Sequence, residues 1–326
     1  MIGRFRKQYQ LRILNYLAIN IIWRLRIQFG WILGGGGHSH ASLSIDESIC
    51  HIEKTFQRYC QYGNLSRFMG VCVEVGPGDN AGVAMLMRKS GADEVRLIDR
   101  FYAPRDVEKQ KSIYEALSNK LDLKFLKNGM EWDEKNLHGI EWNIGLPAED
   151  FFRQAAESGA MFDTIVSCAV MEHLYDPLGC LIDMTKCLKE HGTMIHCIDF
   201  RDHGMFEPRY HPLKYLTVPR SLYRMMTRYS GDQNRVLLHD YRRVLDSLSQ
   251  DNAISYDTYA WFLVGGIELD PLIRIDQISS EQWQTPVAIV DKWRHELAAD
   301  YRTVPSRDLA VAGICMVVKK TGVLSQ

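Results

Sequence analysis

This chain of 326 residues has no C-x-x-C pair, no internal repeat and no acidic residue before Asp46. Its eight cysteines, at 50, 60, 72, 168, 180, 187, 197 and 315, are scattered, and several fall inside apolar runs. That pattern excludes a disulfide framework and reads as reduced core thiols of a cytoplasmic protein. Neither the cysteines nor the eleven histidines fall at zinc-site spacings, so no metal is expected. His38 and His40 come nearest, but they follow four consecutive glycines, 34–37, which read as a solvated linker. Missing too is an uninterrupted apolar run of the roughly 20 residues that a membrane-spanning helix needs. Residues 11–23 are rich in Leu, Ile and Ala, yet Arg12, Asn15 and Asn20 interrupt them, and no convincing signal-cleavage site follows.

The net charge of -1 conceals an asymmetry. Residues 1–45 hold Arg4, Arg6, Lys7, Arg12, Arg24 and Arg26, so 39 less these six leaves 33 basic against 40 acidic residues beyond. A mildly acidic body excludes a general nucleic-acid binder. For the basic segment two readings stand. The one expected here is a helix that packs on the body or covers its cleft; the other is an amphipathic helix at residues 1–33 making peripheral contact with an anionic membrane surface.

With 46% of its residues hydrophobic, the chain can bury one sizeable core. From residue 45 strand-like and helix-like segments alternate, the mark of a mainly parallel sheet covered by helices. Strands are expected at 71–75, 95–98, 140–144, 162–169 and 193–198, with helices at 82–90, 106–121 and 177–190 between them. Residues 254–262 and 310–318 are expected to add an antiparallel pair, with 265–305 inserted between them and a helix near 287–300.

The chemistry begins at Val73-Glu74-Val75-Gly76-Pro77-Gly78-Asp79-Asn80, where an apolar strand breaks into a glycine turn. Such a turn brings backbone close to a ligand. The glycines at 76, 78 and 82 do not match the G-x-G-x-x-G of dinucleotide sites. Glu74 and Asp79 flank the turn and would repel a pyrophosphate, whereas S-adenosylmethionine carries an ammonium and a sulfonium. Asp99 closes the next strand 21 residues after Gly78, where a carboxylate can accept hydrogen bonds from both hydroxyls of a ribose. Pro147-Ala148-Glu149-Asp150 follows the third strand and reaches the same carboxyl edge of the sheet. The fourth strand ends in the small residues Ser167, Cys168 and Ala169 and then delivers Glu172 and His173.

These blocks, with Leu188-Lys189-Glu190-His191-Gly192-Thr193, together resemble class I S-adenosylmethionine-dependent methyltransferases over about residues 71–200. The resemblance implies a doubly wound α/β fold with a mainly parallel, seven-stranded, Rossmann-like sheet, here with an N-terminal helical segment and an inserted lid. It implies S-adenosylmethionine as cofactor, with Glu74, Gly76 and Gly78 around its methionine end, Asp99 at the ribose, and Ala148 and Glu149 near adenine. Asp79, Arg100, Ser167 and Cys168 are assigned to the same site. Many relatives carry Asp where Pro147 stands, so no side-chain contact to the adenine amino group is expected from that position.

The expected organisation is a basic helical segment with its linker at 1–45, a cofactor-binding core at 46–200, a lid or substrate region at 201–250 and a part completing the sheet at 251–326. Methyl transfer needs positioning above all, but a hydroxyl acceptor must lose a proton as it attacks. His203 and His173 are the candidate bases and Asp199 the orienting or alternative one, while His196 inside the fifth strand reads as a core histidine. The acceptor expected is a small molecule or glycan, methylated at oxygen. A nicotinamide-dependent oxidoreductase and a methyltransferase-like binding module without turnover are the alternatives.

Overall fold

The fold follows from a buried first strand flanked on both sides by others of its kind. In the computed structural model, which describes residues 2–31, 39–127, 132, 136–206, 209–250 and 254–321, the elements alternate as the periodicity predicts. The glycine linker and His38 lie outside the described residues. The first half comprises α1 (Ile2–Gln28), α2 (Ser39–Ser42), α3 (Ile45–Gly63), β1 (Gly70–Val75), α4 (Gly82–Ser90), β2 (Ala92–Asp99), α5 (Val107–Leu121), β3 (Ile140–Ile144) and α6 (Ala148–Ser158). There follow β4 (Phe162–Cys168), α7 (Pro177–Lys186), β5 (Leu188–Asp199), α8 (Arg220–Thr227), α9 (Leu238–Gln250), β6 (Ile254–Leu263) and β7 (Ile267–Arg274). Three helices, α10 (Ser280–Trp293), α11 (Ala299–Arg302) and α12 (Ser306–Ala310), then lead into β8 (Val311–Lys320).

The sheet runs in the order β3-β2-β1-β4-β5-β8-β6-β7. The strands from β3 to β5 are parallel neighbours, and β8, β6 and β7 add antiparallel pairings. Within β1, Cys72 joins the core under α3, α4 and α5, whereas Val73 and Val75 join the core under α6, α7 and α9. Burial on both faces is why this strand reads as an apolar run without alternation. Its carboxyl end lies level with those of β2 and β4, since Val75 faces Ile98 on one side and Ser167 on the other. The reversal of strand order between β1 and β4 opens a crevice there, where ligands bind in open α/β sheets.

Three expectations need correction. The sheet has eight strands, because β7 forms a hairpin with β6 inside the stretch taken as an insertion. The helix expected near 287–300 is α10, which starts at Ser280 on a Ser279–Gln282 capping box. The helix expected over 177–190 ends at Lys186, and Leu188 already pairs with Phe162 in the sheet. Apolar residues at helical spacing continue into a strand edge there, so periodicity alone places the boundary too late.

The N-terminal helix packs on the body. Asn20, buried, donates from Nδ2 to the Met225 carbonyl at 2.8 Å and accepts from the Tyr229 N–H at 2.6 Å. Arg12 donates to the carbonyls of Gly204 and Met205 at 3.0 and 2.6 Å, and Tyr9 meets the Thr217 hydroxyl at 3.1 Å. The two asparagines and the arginine that interrupt the apolar run thus include the pair that fixes α1 to the lid region. Among the described residues no helix is long and apolar enough to cross a membrane.

Candidate active site

A cavity of about 460 Å3 opens at the β1–β4 crevice. Its floor is Val75, Gly76 and Gly78 from the first turn, Ile98, Asp99, Arg100 and Phe101 from the second, and Ala148 and Glu149 from the start of α6. Ala169, Val170, His173 and Leu174 form a further wall, and Trp23 of α1 with Ser230, Gly231 and Asp232 closes it from above. Among the residues assigned from sequence, Gly76, Gly78, Asp99, Arg100, Ala148, Glu149 and His173 therefore meet at one surface.

Gly76 and Gly78 have φ of +69° and +68°, the left-handed region that favours glycine. A Cβ on Gly76 would also lie 2.3 Å from Val170 Cγ2, so the first turn and the β4 wall touch through the missing side chain. The Gly76 N–H donates to the Ile98 carbonyl at 2.8 Å, and Arg105 donates to the Gly78 carbonyl at 3.1 Å. Ala169 holds φ +55° at the end of β4, a conformation that non-glycine residues adopt at a cost and that clusters at functional sites.

Asp99 sits at the carboxyl end of β2, where one carboxylate oxygen accepts the Phe101 N–H at 3.0 Å. Burial pushes its pKa up to about 6 against the opposing pull of that hydrogen bond and of Arg105 and Arg100. Glu74 lies just beneath the turn, outside the cavity lining. It is buried, its Oε2 has no partner, and burial raises its pKa to about 8. Glu149 accepts the Tyr175 N–H at 2.7 Å through Oε1, and its Oε2 lies 3.6 Å from Arg100, whose guanidinium stacks 3.6 Å from the Tyr175 ring centroid. Ala148 and Glu149 stand in the first turn of α6 behind the Pro147 cap, where helical N–H groups have no intrahelical acceptor.

Three of the assigned cofactor residues are engaged elsewhere. Asp79 accepts the N–H groups of His40 and Ala41 at 3.3 and 3.0 Å and so anchors α2. Ser167 is buried in the core, with its hydroxyl 2.8 Å from His196 Nδ1, and neither it nor Cys168 lines the cavity. His196 is a core histidine, held neutral by burial that takes its pKa down to about 3, with Nε2 left unpartnered.

At the β4 and β5 ends the assigned catalytic residues converge. His173 and His203 rings lie 5.1 Å apart, and His203 Nε2 is 3.8 Å from an oxygen of Asp199. His173 donates from Nδ1 to the Gly231 carbonyl at 2.8 Å, which leaves Nε2 as an acceptor; burial takes its pKa down to about 4. Burial alone would raise Asp199, but the nearby His203 and the hydrogen bonds and charge of Arg201 outweigh it and bring its pKa down to about 2. Glu172 is fully covered, accepts the Asp199 N–H at 3.2 Å through Oε1 and has an unpartnered Oε2; burial pushes its pKa well above the usual carboxylate range. Glu172, His173 and His203 each present a ligand atom within 4.8 Å of the others, a group able to bind a proton or a cation. The separation of 172–173 from 203 in sequence hid this cluster from spacing arguments.

Four further residues escaped the sequence reading. Trp23 lies some fifty residues before the first motif, yet it lines the cavity and packs 5.3 Å from Phe101. Asn234 donates to the carbonyls of Met171 and Leu174 at 2.9 and 3.0 Å and so fixes the turn that carries Glu172 and His173. Arg235, buried, donates to Tyr215 and Val218 carbonyls at 3.1 and 2.6 Å and stacks on Tyr223. Arg105 braces the glycine turn from its own loop. Only the polar run Gln233-Asn234-Arg235 within an otherwise aromatic stretch was a signal available beforehand.

A family model described as a methyltransferase domain matches residues 52–242. No curated protein sequence matches the chain. Among solved structures, the N-methyltransferase NodS from Bradyrhizobium japonicum, in complex with S-adenosyl-L-homocysteine, is 10% identical, covering 82% of this chain and 86% of that one with a TM-score of 0.37. The YcgJ protein from Bacillus subtilis is 12% identical over 83% of this chain and 99% of that one, with a TM-score of 0.38. The plantazolicin methyltransferase BpumL, solved with a desmethyl analogue and S-adenosyl-L-homocysteine, is 10% identical over 97% of this chain and 100% of that one, with a TM-score of 0.40.

Proposed function

The chain belongs to the methyltransferase domain family, whose model spans more than half of it, and from that premise we propose that it moves a methyl group from S-adenosylmethionine to an oxygen of a small-molecule or glycan acceptor. The observation that carries this is the convergence of Gly76, Gly78, Asp99, Glu149 and His173 on one cavity. The cavity suits a cationic nucleoside better than a dinucleotide. Asp99, Glu149 and Asp232 line it, and the lining Arg100 is already stacked on Tyr175 and lies 3.6 Å from Glu149. A pyrophosphate would meet this surface with like charge, whereas an ammonium and a sulfonium would not.

When bound, S-adenosylmethionine supplies an already activated methyl carbon, so the protein's work is orientation and exclusion of water. Asp99 would receive the ribose hydroxyls, the first-turn N–H groups of α6 the adenine edge, and the glycine turn with Glu74 the methionine end. Ala169 and Val170 keep the wall beside the transfer point small. Residues 230–232 and Trp23 roof the cavity and limit the entry of water. His203, exposed just outside the cavity lining with its ring 5.1 Å from that of the lining His173 and backed by the ionised Asp199, takes the acceptor's proton; His173 is a poor base with its pKa near 4 and instead orients the acceptor through Nε2. All eight cysteines are free, which supports a reducing, cytoplasmic setting.

The test is transfer of labelled methyl from S-adenosylmethionine into fractions of a cell extract. Label should enter a low-mass or glycan fraction, and His203→Ala should cut turnover by about 100-fold or more while S-adenosylhomocysteine binds as before. Label confined to nucleic acid or protein, or unchanged His203→Ala turnover at saturating donor, would remove the acceptor and base assignments.

A further inference from the structure

The helix α1 is apolar on two opposite faces, and the fold covers only one. Tyr9, Ile13, Tyr16, Leu17 and Asn20 turn to the body. On the other side Leu11, Leu14, Ile21, Ile22 and Leu25 stand 48–60% exposed, and Phe29 continues the stripe just past the helix at 66%. At 100° per residue these six fall within a stripe of roughly 100°, the width of a face that normally meets a core. Single exposed apolar residues are ordinary, but a contiguous stripe of them marks an interaction surface. The stripe belongs to the most cationic part of the chain, with six basic residues and no acid before Asp46.

We propose that α1 lies flat on an anionic bilayer, its outer stripe in the headgroup and acyl boundary, and that the acceptor enters the cavity from that bilayer. The second clause rests on the methyl-transfer reading above. Two properties select a membrane over a second copy of the chain. Arg12 is turned to the body and Arg24 stacks on Tyr229, but the segment as a whole carries six basic residues and no acid, so anionic lipid suits both its charge and the apolar stripe, whereas pairing two such segments would bring like charge together. The helix is also too polar to enter deeper, which leaves the interfacial position. The link to the acceptor is Trp23, which lines the cavity from the inner side of the same helix. A helix with its side chains is about 10–12 Å across, so one helix thickness separates the outer stripe from the methyl-transfer cavity.

The experiment uses the full chain and vesicles of phosphatidylcholine with or without phosphatidylglycerol, beside a Leu14→Glu, Ile21→Glu, Leu25→Glu variant. The wild type should sediment with anionic vesicles at least tenfold better than with neutral ones, and less well as salt rises. The variant should lose at least tenfold of that binding while remaining monomeric and binding S-adenosylhomocysteine normally, which also reports that it folds. Absence of sedimentation with anionic vesicles would overturn the proposal, as would a wild-type dimer that the variant dissociates. Vesicle binding by a chain that takes no S-adenosylhomocysteine would keep the docking surface and remove both the methyl-transfer reading and the acceptor route built on it.

Discussion

Replacing Asp99 by Asn should make the protein more stable and worse at its task. Asp99 is half-buried at the end of β2 and its pKa stands near 6, above the ordinary carboxylate value of 3.8. A carboxyl raised in the folded state favours its protonated form there. Its contribution to stability is fully present below about pH 3.8 and is lost as the pH rises through about 6. The two-unit difference corresponds to about 3 kcal/mol at neutral pH, at 1.36 kcal/mol per unit. Asn keeps an oxygen for the Phe101 N–H and carries no charge to desolvate, so about half of that cost is recovered, about 1–2 kcal/mol. For a chain of this length that is a rise in Tm of roughly 1.5–3 °C. Affinity should move the other way. One charge-assisted acceptor is lost and another becomes neutral, which costs about 2–4 kcal/mol, or roughly 30- to 1000-fold in Kd for S-adenosylhomocysteine. Scanning calorimetry and isothermal titration on the same sample read both quantities. An unchanged Kd in the folded variant would take Asp99 out of the site, and a lowered Tm would show that its charge is better solvated than its burial implies.

Two further substitutions test how the cavity is held. Gly76→Ala places a Cβ 2.3 Å from Val170 at a φ of +69°, so strain and overpacking should together cost about 2–5 kcal/mol in urea denaturation and abolish S-adenosylhomocysteine binding; a stable variant that still binds would refute the close approach. Asn234→Ala removes the side-chain donor to the Met171 and Leu174 carbonyls and should destabilise by about 1–3 kcal/mol, lowering turnover more than cofactor affinity; equal losses of both, or of neither, would show that the Glu172–His173 turn does not depend on this brace.

How much of this was legible beforehand follows the range of the contacts. The β1–α4–β2 unit, the glycine turn and Asp99 were readable because strand, turn and carboxylate lie within thirty residues and each leaves a local mark. The convergence of His173 with His203 and Asp199 was readable only as adjacency of two strand ends. What it lacked was Glu172, whose significance lies in burial and an unpartnered oxygen that no sequence pattern displays. Asp79 looked like a ligand residue because it flanks the turn, yet α2 claims its carboxylate across 38 positions. Trp23, Asn234 and Arg235 act over separations of 60 residues or more, or through backbone carbonyls, and neither leaves a periodicity. The extra strand β7 was hidden because Gly265-Gly266 reads as a break, whereas both glycines adopt positive φ to turn a hairpin.

The most direct test of the account is calorimetric titration of the purified chain with S-adenosylhomocysteine, S-adenosylmethionine and NAD in parallel. The cavity built from Gly76, Gly78, Asp99 and Glu149 should bind both methionine derivatives one to one, with affinity falling as Asp99 is protonated below about pH 6, and should not respond to NAD. Saturable NAD binding with no heat from either methionine derivative would contradict it.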